Sequence, residues 1–287
     1  MAKIAFIGLG TMGYPMAGHL ATKGYDVTVY NRHRQRAEQW VNENNGKLAE
    51  TPFEAAHNKD FVLACVGNDD DVREVTCGEK GAFAAMPKGA VFVDHTTTSA
   101  DLARELYERA KASGLNFIDA PVSGGEAGAQ HAKLTIMCGG DQQHFEAAQP
   151  VLNTYAVSVR LVGAAGSGQL CKMVNQICLA GVIQGLSEGL EFGVKAGLDM
   201  KTVVELIARG AAGSWQMENR GMSMLEDRFD FGFAVDLMRK DLQICLAQAN
   251  KSGANLPLTA VINQFYNHLH NKGLGKYDTS SLIKLLK

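Results

Sequence analysis

The sequence predicts an α/β fold, a doubly wound parallel sheet, followed by an all-α domain that is joined to it through a long helix. Two observations lead to this prediction. Through the first half of the chain, short runs of β-forming residues alternate with helical stretches, and these runs are apolar almost throughout, as in a parallel sheet covered on both faces. After Gly166 no run has convincing strand character. We therefore divide the chain into an α/β domain, 1–163, and a helical domain, 164–287.

The individual elements follow from the periodicity of the apolar residues. The predicted strands are 3–8, 26–31, 60–66, 90–95, 115–120, 133–139 and 156–162. The last two strands are predicted to complete the sheet, and they can do so as an antiparallel edge. The predicted helices are 12–23, 33–45, 69–77, 99–113, 141–153, 167–195, 199–210, 214–225, 235–252, 256–271 and 278–286.

Composition argues against several classes of protein. The chain has 46% apolar and 20% charged residues, as ordinary globular proteins do, and its net charge of −2 argues against a nucleic acid as partner. It contains no uninterrupted run of 18 apolar residues, so no membrane span is expected. The six cysteines form no CxxC pair, and the eight histidines form no metal-binding cluster. We expect a cytoplasmic protein without a metal site.

The first strand leads into the motif "GLGTMG", in which Gly8, Gly10 and Gly13 have GxGxxG spacing. After a strand and at the start of a helix, this motif is typical of a Rossmann-type dinucleotide site. Gly8 permits a tight turn, Gly10 lets the backbone approach the pyrophosphate, and Gly13 permits close packing of helix on strand. Thr11 and Met12 of the same loop are also predicted to bind the cofactor. A glycine-rich turn without a ligand is the less favoured interpretation.

The end of the second strand bears on the choice between NAD and NADP. A site for NAD usually has Asp or Glu there, which binds the ribose 2′-hydroxyl. This chain has "VTVYNRHRQR", with Asn31 in place of the acid and Arg32 after it. With no carboxylate at this place to repel a 2′-phosphate, and a guanidinium to bind it, the sequence predicts NADP, with NAD less favoured. A solvated basic start to the next helix is the alternative.

The long helix carries an isolated lysine. Lys172 is the only charged residue between Arg160 and Glu188. Such a lysine either extends its ammonium to water along an apolar stem or serves as a catalytic group. Asn175 lies three residues further on and shares its helix face. Because this face begins just past the domain boundary, it can meet the carboxyl edge of the sheet, where open α/β sheets bind ligands.

A loop after the fifth strand adds hydrogen-bond donors. In "DAPVSGG", residues 119–125, Pro121 stiffens the chain, and Ser123, Gly124 and Gly125 follow. Glycine lets several backbone N–H groups converge on one anion, so the loop suits a carboxylate. An ordinary turn is the alternative.

Four motifs in this order, "FIGLGTMGYPMAGHL", "DAPVSGG", "GSGQLCKMVNQ" and "MRKDL", resemble those of the β-hydroxyacid dehydrogenase family. This family includes 3-hydroxyisobutyrate dehydrogenases, tartronate semialdehyde reductases and succinic semialdehyde/glyoxylate reductases. The resemblance covers essentially the whole chain. It implies a Rossmann domain, a helical substrate domain and a long linking helix, with the active site in the cleft between the domains.

By position, the resemblance implies roles for the residues already singled out. Lys172 corresponds to the catalytic lysine, which gives or takes the proton of the substrate oxygen, and Asn175 holds substrate and lysine in register. Ser123, Gly124 and Gly125 correspond to the residues that bind the substrate carboxylate.

The resemblance also implies contacts around the nicotinamide. Lys240 in "MRKDL" corresponds to a lysine near both nicotinamide and substrate, and Thr97 to a threonine against the nicotinamide. The chain departs from the family at two places. Val66, counted as cofactor-binding, and Gly67 replace a frequent Leu-Pro, which is expected to loosen this loop, and Thr96 replaces a serine.

Together these features predict an NADPH-dependent oxidoreductase that interconverts a small 3-hydroxy or 4-hydroxy carboxylic acid and its semialdehyde. "PVSGG" rather than "PVSGS" slightly favours the hydroxyisobutyrate and tartronate semialdehyde members as the nearest in substrate. One alternative is an imine reductase of similar architecture, which Lys172 disfavours because those enzymes generally lack the lysine. Another is a nucleotide-binding protein on the same fold without turnover.

Two features leave their alternatives open. Gly181, Gly185, Gly189 and Gly193 recur every four residues of the long helix, which predicts a close neighbour either within the domain or across the interface of a homodimer or homotetramer. Trp215 either lines the substrate cleft or is an ordinary core or interface tryptophan.

Overall fold

The computed structural model describes residues 2–287 and contains one mainly parallel sheet. Its strands are β1 (Lys3–Ile7), β2 (Asp26–Tyr30), β3 (Lys47–Leu48), β4 (Phe61–Ala64), β5 (Val91–Asp94), β6 (Asn116–Asp119), β7 (Val122–Ser123), β8 (Leu134–Gly139) and β9 (Ala156–Gly163). Their order is β3-β2-β1-β4-β5-β6-β8-β7, and β9 also pairs with β8. The strands from β3 to β6 in this order are parallel, whereas β8 runs antiparallel to β6 and β7. The predicted fold class, including the antiparallel edge, is confirmed.

The helices lie close to their predicted positions. They are α1 (Gly13–Thr22), α2 (Arg34–Glu43), α3 (Pro52–Ala56), α4 (Asp69–Cys77), α5 (Ala100–Ala112), α6 (Gly125–Gln130), α7 (Gln142–Leu152), α8 (Ser167–Lys195), α9 (Met200–Ile207), α10 (Trp215–Leu225), α11 (Val235–Ser252) and α12 (Pro257–Asn271). The segment predicted as helix 278–286 is a 3-10 helix, Thr279–Leu285. The sequence did not predict α3, α6, β3 and β7, which have two to six residues and are too short for a periodicity to show.

Apolar side chains on both faces of the sheet explain why its strands are apolar almost throughout. In β1, Ile4 and Phe6 belong to one core cluster, while Ala5 and Ile7 belong to another. Successive side chains of a strand point to opposite faces, so each face of the sheet has its own buried layer.

The chain forms two compact units, the first ending at Lys172 and the second starting at Met173. The division falls within α8, which contributes to both. By length and composition α8 could cross a bilayer, with a mean hydropathy of 1.3 over its most apolar window, but a core helix passes the same test and 44% of this window is buried inside the protein. Gln169, Lys172, Gln176 and Gln184 are buried on it as well. We therefore interpret α8 as a core helix.

His95 joins the end of β6 to the start of β9 through two hydrogen bonds. It follows β5 directly and is 2% exposed. Its Nδ1 lies 2.7 Å from the carbonyl oxygen of Ala120, and its Nε2 lies 2.9 Å from the hydroxyl of Tyr155. Because a carbonyl can only accept, Nδ1 carries the proton and Nε2 accepts from Tyr155. Burial lowers the pKa of His95 to about 4, so the ring is neutral at physiological pH.

We predict that His95 makes the protein less stable as the pH falls from about 6.5 to about 4. In that range the unfolded chain binds a proton that the native imidazole does not accept, so acidification favours unfolding. His95→Gln removes this group. Between these pH values, its free energy of unfolding should rise relative to the parent by on the order of 2 kcal/mol.

Urea denaturation at a series of pH values measures the difference in free energy of unfolding between His95→Gln and the parent. The contributions of the other titrating groups are the same in both proteins and cancel in this difference. His131→Gln is the matched control, because His131 is exposed. If His95→Gln and the parent lose stability in parallel on acidification, the neutral buried ring is contradicted.

The glycine loop between β1 and α1 contains two glycines with different surroundings. A methyl group at Gly13 would collide with the carbonyl oxygen of Gly8 and would lie 2.9 Å from Cε1 of Phe6. A methyl group at Gly10 would have no atom within 4 Å. The close approach of α1 to β1 therefore depends on Gly13, and the space above Gly10 is open.

We predict that Gly13→Ala lowers the free energy of unfolding by about 1–3 kcal/mol, as overpacking does, whereas Gly10→Ala changes it by less than about 1 kcal/mol. Urea denaturation without cofactor gives both values. Equal stabilities of the two variants would contradict the packing described here.

Candidate active site

Residues from four stretches of the sequence lie together at one edge of the sheet. Adjacent parallel strands are in register at their carboxyl ends, with Ile7 opposite Ala64, Ala64 opposite Asp94, and Asp94 opposite Asp119. The segments that follow these ends contain the predicted cofactor residues Gly8, Val66 and Thr97 and the predicted substrate residue Ser123. This edge is where open α/β sheets bind their ligands.

The glycine-rich loop is tied to the end of β2 by Asn31. Oδ1 of Asn31 accepts from the N–H of Leu9 at 2.9 Å, and its Nδ2 donates to the carbonyl oxygen of His33 at 3.0 Å. Asn31 thus braces the loop with both ends of its amide. Gly10 and Thr11 are exposed on that loop, and Met12 is half-buried.

The start of α1 fits a pyrophosphate. Its N-cap residue, Met12, provides no side-chain cap, and no acid lies in the first turn. Backbone N–H groups at this end therefore have no competing carboxylate, and the helix dipole favours an anion there. The open space above Gly10 is on the same loop. These residues fit a dinucleotide.

A carboxylate that the sequence reading missed lies beside Arg32. Nη1 of Arg32 is 3.0 Å from Oδ1 of Asp71, on the first turn of α4. The expectation that no acid repels a 2′-phosphate is thus wrong in its details, since the end of β2 supplies no acid but the first turn of α4 does. Distance along the chain hid this pair, because "DDD" at 69–71 is by itself an ordinary helix start.

The loops after β4 and β5 are joined by Thr96. Its hydroxyl accepts from the N–H of Val66 at 3.0 Å, and its own N–H donates to Oδ1 of Asp94 at 2.9 Å. The expected loosening at Val66 is therefore opposed by a hydrogen bond from its backbone. Thr97, the next residue, is half-buried.

The carboxylate of Asp119 caps the start of α8 from a distant strand end. Oδ1 accepts from the N–H of Gly166 at 2.8 Å, and Oδ2 accepts from the N–H of Gln169 at 2.9 Å. These are N–H groups that the end of a helix leaves unpaired. A methyl group at Gly168 would lie 2.8 Å from both Asp119 O and Oδ2, so only glycine permits this close approach. Asp119 thereby fixes where the lysine-bearing helix begins.

Gln169 holds the loop after β5 against the same helix. Its Nε2 donates to the carbonyl oxygen of Thr96 at 2.7 Å, and its Oε1 accepts from the N–H of Thr98 at 3.0 Å. The two bonds bracket Thr97. Gln169 stands in the motif "GSGQLCKMVNQ", but nothing in its spacing indicated this role.

Two buried carboxyl groups lie side by side under these loops. Burial raises the pKa of Asp94 to about 7 and that of Asp119 to about 6. At Asp94, hydrogen bonds from Thr96 lower the pKa and the charge of Asp119 raises it further. At Asp119, hydrogen bonds from the start of α8 lower the pKa. Oδ2 of Asp94 is buried without a hydrogen-bond partner among the described residues. Burial therefore disfavours the ionised form of both groups, and the hydrogen bonds that Asp119 accepts on both oxygens offset part of that cost.

Lys172 lies in the second turn of α8, and 8% of its surface is exposed. A lysine that extended its ammonium to bulk water along an apolar stem would be more exposed. Asn175 follows one turn later on the same helix. The burial favours the interpretation of Lys172 as a catalytic group.

The loop predicted to bind a carboxylate has the backbone that its glycines allow. Ser123 ends β7 and is half-buried, and the exposed Gly124 and Gly125 have φ angles of 132° and 62°. These angles lie in the region that favours glycine. The two residues turn the chain from β7 into α6.

In the second unit, a chain of polar contacts joins two predicted residues. Asn175 donates to Oε1 of Gln176 at 2.8 Å, and Nε2 of Gln176 donates to Oδ2 of Asp241 at 2.6 Å. Nζ of Lys240 lies 3.3 Å from Oδ1 of Asp241, whose side chain is 3% exposed. Gln176 and Asp241 belong to the motifs "GSGQLCKMVNQ" and "MRKDL", but 65 positions separate them, so their contact was not predicted.

Trp215 is not a core residue. It is 52% exposed at the start of α10, and the guanidinium of Arg220 lies 5.0 Å from its ring and 4.7 Å from that of Phe231. Arg220 also approaches Oδ1 of Asp278 at 3.5 Å. The exposed ring is thereby held in place by a cation–π contact.

No group of three or more His, Cys, Asp or Glu that could hold a metal ion occurs within residues 2–287. The chemistry of the site has to be read from the residues described above.

Comparisons with known proteins show the family to which the chain belongs. The family model for the NAD binding domain of 6-phosphogluconate dehydrogenase matches residues 3–163, and the one described as NAD-binding of NADP-dependent 3-hydroxyisobutyrate dehydrogenase matches residues 166–286. An uncharacterized oxidoreductase of Shewanella frigidimarina is 54% identical over 287 residues, which is 100% of this chain and 99% of that protein.

Two named proteins are similar over nearly their full lengths. The 2-hydroxy-3-oxopropionate reductase of Escherichia coli is 35% identical, over 99% of this chain and 97% of the reductase. The solved structure of Mycobacterium tuberculosis 3-hydroxyisobutyrate dehydrogenase with L-serine has a TM-score of 0.90 at 30% identity, covering 100% of this chain and 99% of that one. With both halves matched by family models and with the four ordered motifs, the chain belongs to the β-hydroxyacid dehydrogenase family of NAD(P)-dependent oxidoreductases.

Proposed function

We propose that this protein is an NADPH-dependent oxidoreductase that interconverts a small 3-hydroxy or 4-hydroxy carboxylic acid and its semialdehyde, with Lys172 as general acid and base. The observation that carries the proposal is the burial of Lys172 on a helix whose first turn is fixed by Asp119 and Gln169. These two residues tie that helix to the strand ends where a cofactor of this fold binds.

The cofactor, when bound, supplies or accepts the hydride at the carbonyl carbon of the substrate. As the carbonyl is reduced, negative charge grows on its oxygen and a proton is needed there. Lys172 would donate that proton in reduction and remove it in oxidation.

The remaining residues would place the substrate. The N–H groups of Gly124 and Gly125, with the hydroxyl of Ser123, offer donors to its carboxylate. Asn175 would hold the substrate oxygen and the lysine in register, and Gln176 fixes the orientation of its amide. Lys240, whose charge is balanced by Asp241, would lie near nicotinamide and substrate. Correct placement of two reactants supplies a large part of an enzymatic rate.

The preference for NADPH rests on Arg32. It is 74% exposed at the end of β2, where the ribose 2′-position of a dinucleotide binds, and its guanidinium suits a phosphate. We propose that Gly8, Gly10, Thr11, Met12, Gly13, Asn31, Arg32, Val66, Thr97 and Lys240 form the cofactor site. Residues 1–163 would then be the NADP-binding domain, and residues 164–287 would bind the substrate and other subunits.

For the substrate, two supports agree. The E. coli and M. tuberculosis proteins are named for small hydroxy or oxo carboxylic acids, and the loop reads "PVSGG". Both favour a short semialdehyde acid. An imine reductase remains the second enzymatic candidate, and Lys172 disfavours it because those enzymes generally lack this lysine. A nucleotide-binding protein without turnover would have no need of the buried lysine and the carboxylate loop together.

We further propose a homodimer or homotetramer, built through the exposed side of α8. Gly185 and Gly189 have no atom within 4 Å of an added methyl group, and Val174, Val182 and Phe192 on the same helix are 61%, 40% and 74% exposed. The close neighbour that these two glycines imply is thus not within the chain. A second copy would cover this apolar surface, and light scattering should give two or four times the chain mass of 30.8 kDa.

A cytoplasmic location fits the free thiols of Cys77, Cys138, Cys171 and Cys178, because a reducing compartment keeps such groups unpaired.

We predict that Lys172→Ala lowers turnover by about 10²- to 10⁴-fold, the usual contribution of a general acid, and leaves NADPH binding nearly unchanged. The assay offers C3 and C4 semialdehyde acids with NADPH or NADH, and the corresponding hydroxy acids in the reverse direction. Lys195→Ala is the matched control, since Lys195 is on the same helix but 71% exposed and paired with Glu191 at 3.4 Å.

Three outcomes would contradict this function. Near-normal turnover of Lys172→Ala would exclude the acid/base role. If the protein reduces none of the semialdehyde acids and oxidises none of the hydroxy acids, the substrate class is excluded. A higher kcat/KM with NADH than with NADPH would exclude the cofactor preference.

A further inference from the structure

Three acids lie in the first turn of α4, and they face different partners. Asp69 accepts from the N–H of Ser99 at 3.0 Å and from its hydroxyl at 2.6 Å. Asp70 is 96% exposed and lies 3.4 Å from Nη1 of Arg73. Asp71 alone among the three reaches Arg32, with 3.0 Å between Oδ1 and Nη1. Asp71 is therefore the acid that lies beside Arg32, the residue proposed to bind the 2′-phosphate.

Of the two members of this ion pair, Asp71 is the fixed one. Its side chain is 28% exposed, and its Oδ2 lies so close to Gly67 that a methyl group there would collide with it. Its own N–H donates to Oδ1 of the N-cap residue Asn68 at 3.0 Å, which holds the turn. The positive end of the helix dipole also favours a carboxylate at this place. Arg32, by contrast, is 74% exposed and free to reorient.

The other polar groups near the end of β2 are engaged elsewhere. Asn31 uses its amide on Leu9 and His33. Arg34 pairs with Glu38 and Glu50. Arg36 stacks on Tyr14 with its guanidinium 4.0 Å from the ring centre. Arg32 is consequently the guanidinium at this strand end that a 2′-phosphate can recruit, and Asp71 competes for it.

The competition affects the two cofactors differently. The guanidinium of Arg32 already forms an ion pair with Asp71, so a 2′-phosphate has to displace that carboxylate or share the guanidinium with it, which weakens the contact between Arg32 and bound NADPH. NADH has a neutral hydroxyl at this position and does not compete for the guanidinium. A carboxylate here therefore weakens NADPH binding and leaves NADH binding almost untouched.

We infer that Asp71 is a specificity-determining residue, which competes with the 2′-phosphate for Arg32 and so limits the preference for NADPH over NADH. The inference rests on the proposed role of Arg32 in NADPH binding. If the inference holds, the protein uses both NADPH and NADH. Its preference for NADPH is then smaller than Arg32 would produce in the absence of Asp71.

The test is the ratio of kcat/KM for NADPH to that for NADH, measured for the parent, Asp71→Asn and Asp70→Asn. The two variants lose the same charge from adjacent residues of one helix turn, but only Asp71 contacts Arg32. Asp71→Asn should raise the ratio about 3- to 10-fold through a lower KM for NADPH, and Asp70→Asn should change it by less than about 2-fold. At 0.5 M salt, which shortens the Debye length to roughly 4 Å, the effect of Asp71→Asn should shrink.

The same substitutions in an Arg32→Gln background distinguish a failure of the inference from a failure of the proposed function. Arg32→Gln should lower the ratio, and Asp71→Asn added to it should change the ratio by less than about 2-fold, because its effect passes through Arg32. Asp71→Ser provides a second uncharged variant if asparagine disturbs the turn, and melting temperatures confirm that each variant is folded.

The outcomes are distinguishable. If Arg32→Gln lowers the ratio but neither Asp71 variant raises it in the parent background, the inference is overturned and the NADPH preference stands. If Asp71→Asn raises the ratio equally with and without Arg32, repulsion acts directly on the phosphate and the competition for Arg32 is overturned. If Arg32→Gln leaves the ratio unchanged, the proposed cofactor site and the inference both fail.

Discussion

The carboxylate of Asp119 is the contact on which the candidate active site depends most. It belongs to the end of β6, yet it accepts hydrogen bonds from the N–H groups of Gly166 and Gln169 at the start of α8. A helix end leaves such N–H groups unpaired, and burying them without a partner would cost about 1–3 kcal/mol for each. The strand end and the helix start therefore define each other's position, and Lys172 follows in the next turn.

Further contacts extend this connection along the edge of the sheet. Gln169, in the first turn of α8, brackets Thr97 through the backbone of its two neighbours. Thr96 connects the loops after β4 and β5. His95, held neutral by burial, follows β5 and contacts both Ala120, after the end of β6, and Tyr155, just before β9. The side chains of Gln169, Thr96 and His95 thus fix the loops that are expected to contact nicotinamide and substrate, and they can do so without contacting either molecule.

Burying two carboxyl groups side by side is unfavourable, and the raised pKa values of Asp94 and Asp119 express that cost. Asp119 offsets it with bonds to the start of a helix, whose dipole favours a negative charge. Asp94 is bonded only on one oxygen among the described residues. Of the two, Asp119 is therefore the one whose hydrogen bonds offset more of the cost of burying a charge.

Local patterns in the sequence predicted the elements, because periodicity and glycine spacing are properties of neighbouring residues. The bounds of α4, α8 and α11 agree with the predicted ones, and GxGxxG lies between a strand and a helix, as predicted. Contacts between distant segments were not predictable in this way. Asp71 meets Arg32 across 39 positions of the chain, and Gln176 meets Asp241 across 65 positions, so neither contact is a property of neighbouring residues. The short helix α6 was hidden by its glycines, which are poor helix formers.

The most direct test of the account is amide hydrogen exchange of residues 166–172 in Asp119→Asn. An asparagine of the same shape turns one acceptor into a donor that faces a backbone N–H. The account predicts exchange at least about 10-fold faster at the start of α8, together with a loss of turnover, since a buried hydrogen bond to a charged group contributes about 1.5–3 kcal/mol. Unchanged protection of this segment, with normal turnover, would contradict the claim that Asp119 positions the lysine-bearing helix.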